Sequence, residues 1–280
     1  MYKILRKENL NPTVTLMEIE APLVARKAEP GQFIILRVDE EGERIPLTMA
    51  DCDREKGSVT IIFQIVGATT ELLNSKNEGE YLADFVGPLG KESELEGLKK
   101  VCVVGGGVGN AIAYPVAKKL HKLGADVTVI AGFKNKDLVI LEDEYEAITD
   151  RFVKMSDEGN WGEKGLVTDA LRKLLEAGEK FDEVIAIGPV IMMKFVCALT
   201  KEFGVKTVIS MNPIMVDGTG MCGACRLTVG GETKFACVDG PDFDGHLVDF
   251  DEAMSRLSMY CEFERAAHTH VCNLLKKEVK

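Results

Sequence analysis

The chain of 280 residues is 46% hydrophobic and 28% charged, which is typical of a globular protein that folds throughout, and its length favours two or three compact units. A formal net charge of −11 with no run of lysines or arginines argues against a nucleic-acid or anionic-membrane surface. The first residues lack an apolar leader, and the eight cysteines then indicate reduced thiols or metal ligands, so we expect a cytoplasmic protein.

Short β-branched segments separated by turn residues fill the chain up to about residue 95. They read VTLMEIE, FIILRV, IPLTMA, SVTIIFQIV and YLADFV, a spacing that predicts a small antiparallel barrel. From residue 99, apolar strands alternate with helical periodicity, from VCVVG (101–105) to TVISM (207–211), which predicts a doubly wound parallel sheet. Glycine and cysteine dominate from residue 212 and indicate a smaller third module. The predicted fold class is therefore multidomain β plus α/β, with units at 1–97, 98–211 and 212–280.

Two stretches of the predicted barrel contain residues that could bind a flavin nucleotide. One is Arg44-Ile45-Pro46-Leu47-Thr48, and the other runs from Phe63 to Thr70 at the end of a strand. An arginine can neutralise a pyrophosphate, and a threonine hydroxyl can hydrogen-bond to an isoalloxazine nitrogen. The same residue types on a barrel rim can also be merely solvated, so the residues alone leave both interpretations open.

The clearest nucleotide motif is VVGGGVGNA, in which an apolar strand runs into a glycine loop and then a helix. The loop comprises Gly105, Gly106, Gly107, Val108, Gly109 and Asn110. Glycines there let backbone N–H groups and a helix N-terminus approach a pyrophosphate. Asn110 stands where the third glycine of G-x-G-x-x-G would be, and the next strand ends in Ala131-Gly132-Phe133 without an acidic residue. The alternative is a tight strand-to-helix turn with no ligand.

The stretch MVDGTGMCGACRLTVGGETKFAC (215–237) places Cys222, Cys225 and Cys237 among glycines. A structural zinc site needs a second ligand pair, and the downstream candidates are at no recognised spacing. These candidates are Cys261, His268, His270 and Cys272. The plant-type [2Fe–2S] order is C-x4-C-x2-C followed by a distant cysteine, and Asp217 occupies its first position. We therefore predict Asp217 as the fourth ligand; the alternatives are that Asp217 is an Asx-turn residue beside Gly218, and that Asp239 supplies the carboxylate.

The order of these motifs, followed by GPVIMMK (188–194), resembles the ferredoxin reductase superfamily over nearly the whole chain. The resemblance is strongest to electron-transfer subunits related to that of dihydroorotate dehydrogenase B. With Asp217 and the stretch GPDFDGHLVDFDEAM (240–254), the chain is most similar to small subunits of NADH-dependent reduced ferredoxin:NADP oxidoreductases. The resemblance implies an FAD barrel, an NAD(H) domain and a [2Fe–2S] module. It also implies a larger flavin and iron–sulfur partner subunit, through which ferredoxin and NADP would be reached in electron bifurcation.

The resemblance also implies which residues hold each cofactor. FAD would lie on Arg44, Pro46, Leu47, Thr48, Ile62, Phe63, Gln64, Gly67 and Thr70. The nicotinamide nucleotide would lie on the glycine loop 105–110 with Gly188 and Pro189, and the cluster on Asp217, Cys222, Cys225 and Cys237. Many relatives have their arginine where Ile45 stands, and Cys-Gly where this chain has Ile187-Gly188.

Electron counting gives the expected function. A nicotinamide gives up two electrons as hydride and the cluster carries one, so the flavin, which can do both, must lie between them. No side chain needs to act as an acid or base, because the cofactors carry the chemistry. NADH is expected rather than NADPH, because Ala131-Gly132-Phe133 offers no arginine for a 2′-phosphate, although Lys134 could reverse this preference. The alternatives are the corresponding subunit of a dihydroorotate dehydrogenase or a sulfide dehydrogenase-like enzyme and, from another class, a zinc-stabilised nucleotide-binding regulator.

Overall fold

The computed structural model describes residues 1–278, with side chains described up to Val271, so Cys272 lies outside the described side chains. The strands are β1 (Tyr2–Asn11), β2 (Val14–Glu20), β3 (Phe33–Arg37), β4 (Arg44–Asp53), β5 (Ser58–Gln64), β6 (Tyr81–Leu82), β7 (Asp84–Leu89), β8 (Lys100–Gly106), β9 (Asp126–Phe133), β10 (Arg151–Ser156), β11 (Glu163–Lys164), β12 (Glu183–Ile187), β13 (Thr207–Ser210), β14 (Arg226–Val229), β15 (Glu232–Phe235) and β16 (Asp242–Asp244). The helices are α1 (Pro22–Ala25), α2 (Ala68–Ser75), α3 (Gly109–Lys122), α4 (Glu142–Glu146), α5 (Val167–Glu176), α6 (Val190–Glu202), α7 (Ala236–Asp239), α8 (Phe250–Leu257) and α9 (Cys261–Glu278).

The first seven strands form one antiparallel sheet in the order β6-β1-β2-β5-β4-β3-β7, which curls into a nearly closed barrel. Its interior is filled by fully buried aliphatic side chains such as Ile4, Met17, Ile34 and Ile61. Along β2, buried residues alternate with more exposed ones, as expected for a strand with one face on a core. The predicted antiparallel barrel is confirmed.

The second sheet has the order β11-β10-β9-β8-β12-β13-β16, and all its neighbouring strands are parallel except β13 and β16. Strand β8 is buried from Val101 onward, because helices cover both faces of a doubly wound sheet. Helix α5 buries Val167, Ala170, Leu171, Leu174 and Leu175, which form one stripe at helical spacing. The strand order reverses between β8 and β12, and ligands bind at the carboxyl ends of such a pair. The predicted doubly wound sheet is also confirmed.

The segment after residue 211 packs against the parallel sheet. Strand β16 pairs antiparallel with β13, whereas β14 and β15 form a separate hairpin. Cys225, Leu227 and Phe250 belong to the same buried cluster as Val184 of the sheet and Val196 of α6. A glycine-rich segment of this size has too few apolar residues for a core of its own, so it shares the core of its neighbour.

The barrel and the parallel sheet also share a buried cluster. Ile62 of the barrel packs there with Ala111 and Phe133 from the sheet layer. The side-chain amide of Asn11 donates a hydrogen bond of 3.1 Å to the carbonyl of Leu138. These contacts fix the barrel rim against the carboxyl end of the parallel sheet.

The last helix, α9, lies against α2, where His268 Nε2 is 3.8 Å from a carboxylate oxygen of Glu71. Within the part of the chain that the structure describes, no helix has the length and apolar character needed to span a bilayer.

Candidate functional site

A cavity of about 520 Å³ lies where the barrel rim faces the carboxyl end of the parallel sheet. The predicted cofactor residues on its wall are Pro46, Leu47, Thr48, Ile62, Phe63, Gln64, Thr70, Gly106, Gly107, Val108, Gly109, Gly188 and Pro189. The other predicted residues, Arg44, Gly67, Gly105 and Asn110, do not line it. The cavity thus brings the flavin motifs of the barrel and the nucleotide motifs of the sheet onto one surface.

The glycine loop exposes its backbone to this cavity. Gly107 has φ of 55°, a left-handed conformation that favours glycine, and nothing lies within 4 Å of the position that its Cβ would take. A Cβ at Gly109 would lie 2.5 Å from the carbonyl oxygen of Ile187, so only glycine lets α3 begin this close to the end of β12. The first residue of α3, Gly109, therefore lies on the cavity wall beside the space that a pyrophosphate would occupy.

Asn110 supports the glycine loop from behind. Its side chain is fully buried, and its Nδ2 donates a hydrogen bond of 3.0 Å to the carbonyl of Gly107. A Cβ at Gly105 would lie 2.0 Å from Asn110 Oδ1, so the amide takes the space that glycine leaves free. We predicted both residues as cofactor ligands, but the structure places them one layer away from the cavity.

The turn between β5 and α2 is held by Thr70. Its Oγ1 accepts hydrogen bonds of 3.0 Å from the N–H groups of both Val66 and Gly67. The same hydroxyl donates to the carbonyl of Gly67 at 2.9 Å. Thr70 therefore shapes the rim of the cavity, and Gly67 belongs to the turn behind it.

Arg44 lies elsewhere than the resemblance implies. Its Nε donates a hydrogen bond of 3.1 Å to the carbonyl of Val216, whereas Ile45 lines the cavity. Arg44 is the first residue of β4 and contacts the cysteine loop, whereas the next four residues of the strand, 45–48, line the cavity. The structure therefore offers no contact from Arg44 to a pyrophosphate in this cavity.

A second cavity of about 430 Å³ continues from Gly106 and Gly107 along the carboxyl edge of the sheet. Lys134 lines it, as does Asp157, which belongs to no motif recognised in the sequence. The dinucleotide motif predicts an acidic residue at the end of β9, but here the acidic residue follows β10. Ser156 pairs with Phe133, which brings position 157 beside position 134. In dinucleotide-binding folds a carboxylate at this edge accepts hydrogen bonds from the ribose hydroxyls.

The cysteine loop brings two of its predicted ligands together. The Sγ atoms of Cys225 and Cys237 are 3.2 Å apart, and both residues are buried. Burial, together with the neighbouring thiol of Cys225, raises the pKa of Cys237 to about 12. Cys222 is exposed, and hydrogen bonding from the backbone N–H of Ala224 lowers the pKa of its thiol. Backbone N–H groups that point at sulfur are a common feature of iron–sulfur sites, where they tune the potential.

Asp217 lies on the same turn as Cys222. Its Oδ2 accepts hydrogen bonds from Thr219 N at 2.9 Å, Thr219 Oγ1 at 2.7 Å and Met221 N at 3.1 Å. The hydrogen bond from the Thr219 hydroxyl is the main reason that the pKa of Asp217 is lowered, so the carboxyl is ionised. This is the Asx-turn arrangement of the alternative interpretation, and it presents an ionised carboxylate next to the C-x2-C turn. Asp239 Oδ2 instead accepts from Phe235 N at 2.7 Å.

The donors suit a dinuclear cluster, whose two irons divide four ligands into two pairs. Cys225 and Cys237 form a buried pair, and Asp217 and Cys222 lie on one exposed turn. Among the residues that the structure describes, no three His, Cys, Asp or Glu side chains converge in a way that could hold a single metal ion.

Comparison with known proteins connects both parts of the site to one family. Residues 212–249 match the model of the iron-sulfur cluster binding domain of dihydroorotate dehydrogenase B. A dihydroorotate dehydrogenase B (NAD(+)) electron transfer subunit homolog of Thermotoga maritima is 48% identical over 268 residues, which cover 96% of this chain and 94% of that protein. The dihydroorotate dehydrogenase B (NAD(+)) electron transfer subunit of Fusobacterium nucleatum is 35% identical, over 80% of this chain and 88% of that protein.

A solved structure gives the same result in three dimensions. It is that of an NADH-dependent reduced ferredoxin-NADP oxidoreductase, described for its insights into flavin-based electron bifurcation. It superposes with a TM-score of 0.92 at 47% identity, covering 96% of this chain and 97% of that one. FAD, NAD(H) and a [2Fe–2S] cluster are the cofactors of this fold and its iron–sulfur module. The chain belongs to the family of ferredoxin reductase-like electron-transfer subunits related to that of dihydroorotate dehydrogenase B.

Proposed function

We propose that this chain takes electrons from NADH onto FAD and exchanges them singly, through its [2Fe–2S] cluster, with a larger flavin and iron–sulfur subunit. The whole assembly is an electron-bifurcating oxidoreductase that also uses ferredoxin and NADP. The proposal of bifurcation rests on the 47% identical structure of an NADH-dependent reduced ferredoxin-NADP oxidoreductase, which aligns over 97% of its own chain.

One observation on this chain supports a direct flavin-to-cluster route. Met211, Asn212, Pro213 and Met215 line the cavity between the barrel and the sheet, and Asp217 follows two residues later. The wall of the flavin cavity therefore continues into the proposed cluster loop. A bound flavin accepts two electrons from a hydride donor and releases them one at a time. The role of this chain is to hold both groups close together.

The residues around the cavity bind and orient the cofactors. Backbone N–H groups of the glycine loop and the start of α3 would hold a pyrophosphate, and Thr48 and Gln64 offer polar groups on the barrel side. Asp217, Cys222, Cys225 and Cys237 are the proposed cluster ligands. The apolar part of the wall, including Leu47 and Phe63, excludes water from the space between the motifs.

The exposed side of the cluster loop is the proposed docking face for the larger subunit. Around the exposed Cys222, Met221 is 87% exposed, Val216 50% and Val238 40%. Exposed apolar side chains grouped at one place indicate a protein interface, and here they surround the outermost proposed ligand. A partner subunit bound to this face would receive electrons over the shortest distance from the cluster.

Anaerobic purification and metal analysis test the proposal. We expect one FAD and two iron atoms per chain, bleaching of the flavin by NADH, and the electron paramagnetic resonance (EPR) signal of a reduced [2Fe–2S] cluster. The isolated chain should reduce artificial acceptors only, and the larger subunit should be needed for ferredoxin and NADP. Zinc in place of iron, or robust NADP reduction by the isolated chain, would contradict the proposal.

A dihydroorotate dehydrogenase subunit is the second candidate, because relatives at 33–36% identity carry that name. The two candidate functions differ in the partner subunit, since only a partner that oxidises dihydroorotate would pass electrons from that substrate to this chain. Copurification from the native source decides between the two. Flavin reduction by dihydroorotate in the copurified complex would favour the second candidate.

A further inference from the structure

Two arginines from separate elements contact the cysteine loop at corresponding points. Arg44, at the start of β4, donates from Nε to the carbonyl of Val216 at 3.1 Å. Arg256, in α8, donates from Nη2 to the carbonyl of Ala224, also at 3.1 Å. Val216 directly precedes Asp217, and Ala224 directly precedes Cys225. Each arginine therefore holds the peptide group next to one proposed ligand.

We propose that Arg44 and Arg256 are positioning residues that anchor the iron–sulfur loop to the barrel and to α8, and that their charges raise the reduction potential of the cluster. This inference rests on the proposed function, because it requires that the loop binds a cluster.

The loop needs anchors because its own sequence gives it little rigidity. Gly218, Gly220 and Gly223 all have positive φ, and glycine loses the most conformational freedom when it is ordered. Val216 and Met221 have exposed side chains, so apolar burial contributes little between them. The two arginines connect this segment to a barrel strand and to a helix whose Ala253 is buried in the core. Arg44 is 172 residues away in sequence from Val216, so its contact closes a long loop.

The charges of the two arginines act on the cluster independently of the anchoring. Four anionic ligands surround the proposed cluster, and one-electron reduction adds another negative charge. A guanidinium group stays protonated under all ordinary conditions, so a nearby arginine stabilises the reduced form more than the oxidised form. Removing either arginine should therefore lower the midpoint potential.

Arg226 provides a matched control. Its Nη1 donates to the carbonyl of Gly223 at 3.0 Å, so it brings a similar charge to the same loop. However, it lies at the start of β14, only three residues from Gly223, and does not connect the loop to a distant element. Arg226→Met removes a charge without removing an anchor.

The experiment uses the purified full chain with its flavin and cluster. The variants are Arg44→Met, Arg256→Met, both lysine replacements and Arg226→Met, and the readouts are cluster potential by EPR titration and the rate of iron loss to a chelator. For each anchor variant to methionine we expect iron loss at least about threefold faster than for Arg226→Met. We also expect the equilibrium constant for one-electron reduction of the cluster to fall at least about threefold relative to wild type, which is ~28 mV. Lysine at either position should restore most of the potential, because it keeps the charge.

Three outcomes separate this inference from the proposed function. If the wild-type chain contains iron and a [2Fe–2S] signal, the proposed function stands. If both anchor variants then lose iron at the wild-type rate and have the wild-type cluster potential, the inference is overturned but the proposed function is not. A wild-type chain without iron would overturn both. Flavin content confirms that each variant is folded. If a methionine variant fails to fold, the rate of iron loss is measured for the lysine variant at that position. A rate equal to that of wild type counts against the anchor.

Discussion

The hydroxyl of Tyr145 donates a hydrogen bond of 2.6 Å to the backbone carbonyl of Asn110, in the first turn of the helix that follows the glycine loop. Tyr145 is fully buried, and burial raises its pKa well above the usual value, so it remains a donor at every ordinary pH. Because Asn110 in turn holds the carbonyl of Gly107, this contact connects α4 to the nucleotide-binding loop.

Tyr145→Phe should therefore weaken both the fold and nucleotide binding. The change removes one buried hydrogen bond and leaves the Asn110 carbonyl with one partner fewer, which costs about 1–3 kcal/mol of unfolding free energy. We expect the Kd for NADH to rise about fivefold, or ~1 kcal/mol. Denaturant unfolding and titration of NADH with the flavin-containing chain measure the two effects. Tyr114→Phe is the control, because the Tyr114 ring packs edge-on against Tyr145 at 5.5 Å but its hydroxyl has no hydrogen-bond partner among the described residues.

The sequence alone predicts the layers of this fold because their signals are local. A run such as VCVVG and a helix such as α5 carry their periodicity within a few residues. The orientation of Arg44 could not be predicted in the same way, since its partner Val216 is 172 residues away in the sequence. Asp157 and β16 were also missed, because which strands become neighbours depends on pairing between residues distant in sequence.

Nucleotide preference is expected to depend on Asp157. Wild-type flavin should be reduced faster by NADH than by NADPH, because a carboxylate in the second cavity repels a 2′-phosphate and accepts hydrogen bonds from a ribose hydroxyl. Asp157→Ser should reduce that preference about tenfold, which corresponds to ~1.4 kcal/mol. Stopped-flow reduction with each nucleotide gives the ratio. Lys134→Ala is the comparison, since it should increase the preference for NADH if Lys134 attracts the phosphate. Equal rates for wild type with the two nucleotides would contradict the assignment.

Asp242 should make a contribution to the stability of the chain that falls with rising pH. Its Oδ1 has no exposed surface, its Oδ2 accepts a hydrogen bond of 2.6 Å from Ser93, and burial raises its pKa above the ordinary value of 3.8. The folded state therefore keeps a proton that the unfolded chain loses. The resulting stability is fully present below about pH 3.8 and is lost as the pH rises to the folded pKa.

Asp242→Asn mimics the protonated carboxyl and should remove this contribution to the dependence of the unfolding free energy on pH above about pH 3.8. Urea unfolding at several pH values measures it. Glu183→Gln is the matched control, because burial also raises the pKa of Glu183, but Lys206 Nζ lies 2.5 Å from its carboxylate. Replacing the Glu183 carboxyl should therefore leave Lys206 unpaired and change the dependence of unfolding free energy on pH less than Asp242→Asn does. Identical slopes for wild type and Asp242→Asn would refute the expectation.

Asp217 provides the sharpest test of the proposed cluster ligands. Asp217→Cys completes the C-x4-C-x2-C spacing, so the chain should keep a [2Fe–2S] cluster. The reduction potential of the cluster should shift by at least several tens of millivolts, where ~59 mV is a tenfold change in a one-electron equilibrium. Asp217→Ala should leave one iron open to water and make the cluster labile.

The variant Asp217→Asn separates the ligand role from the Asx-turn role of Asp217, since asparagine keeps an acceptor for Thr219 and Met221 but removes the charge. If Asp217 only shapes the turn, the asparagine variant should keep a normal cluster, whereas loss of the ligand should change its EPR spectrum. Asp239 is the control carboxylate, because it lies two residues after Cys237 and its Oδ2 already accepts from Phe235 N. Cluster content, EPR spectrum and potential are compared for alanine and cysteine at both positions. Changes confined to the Asp239 variants would assign the fourth ligand to Asp239 and show that Asp217 serves the turn alone.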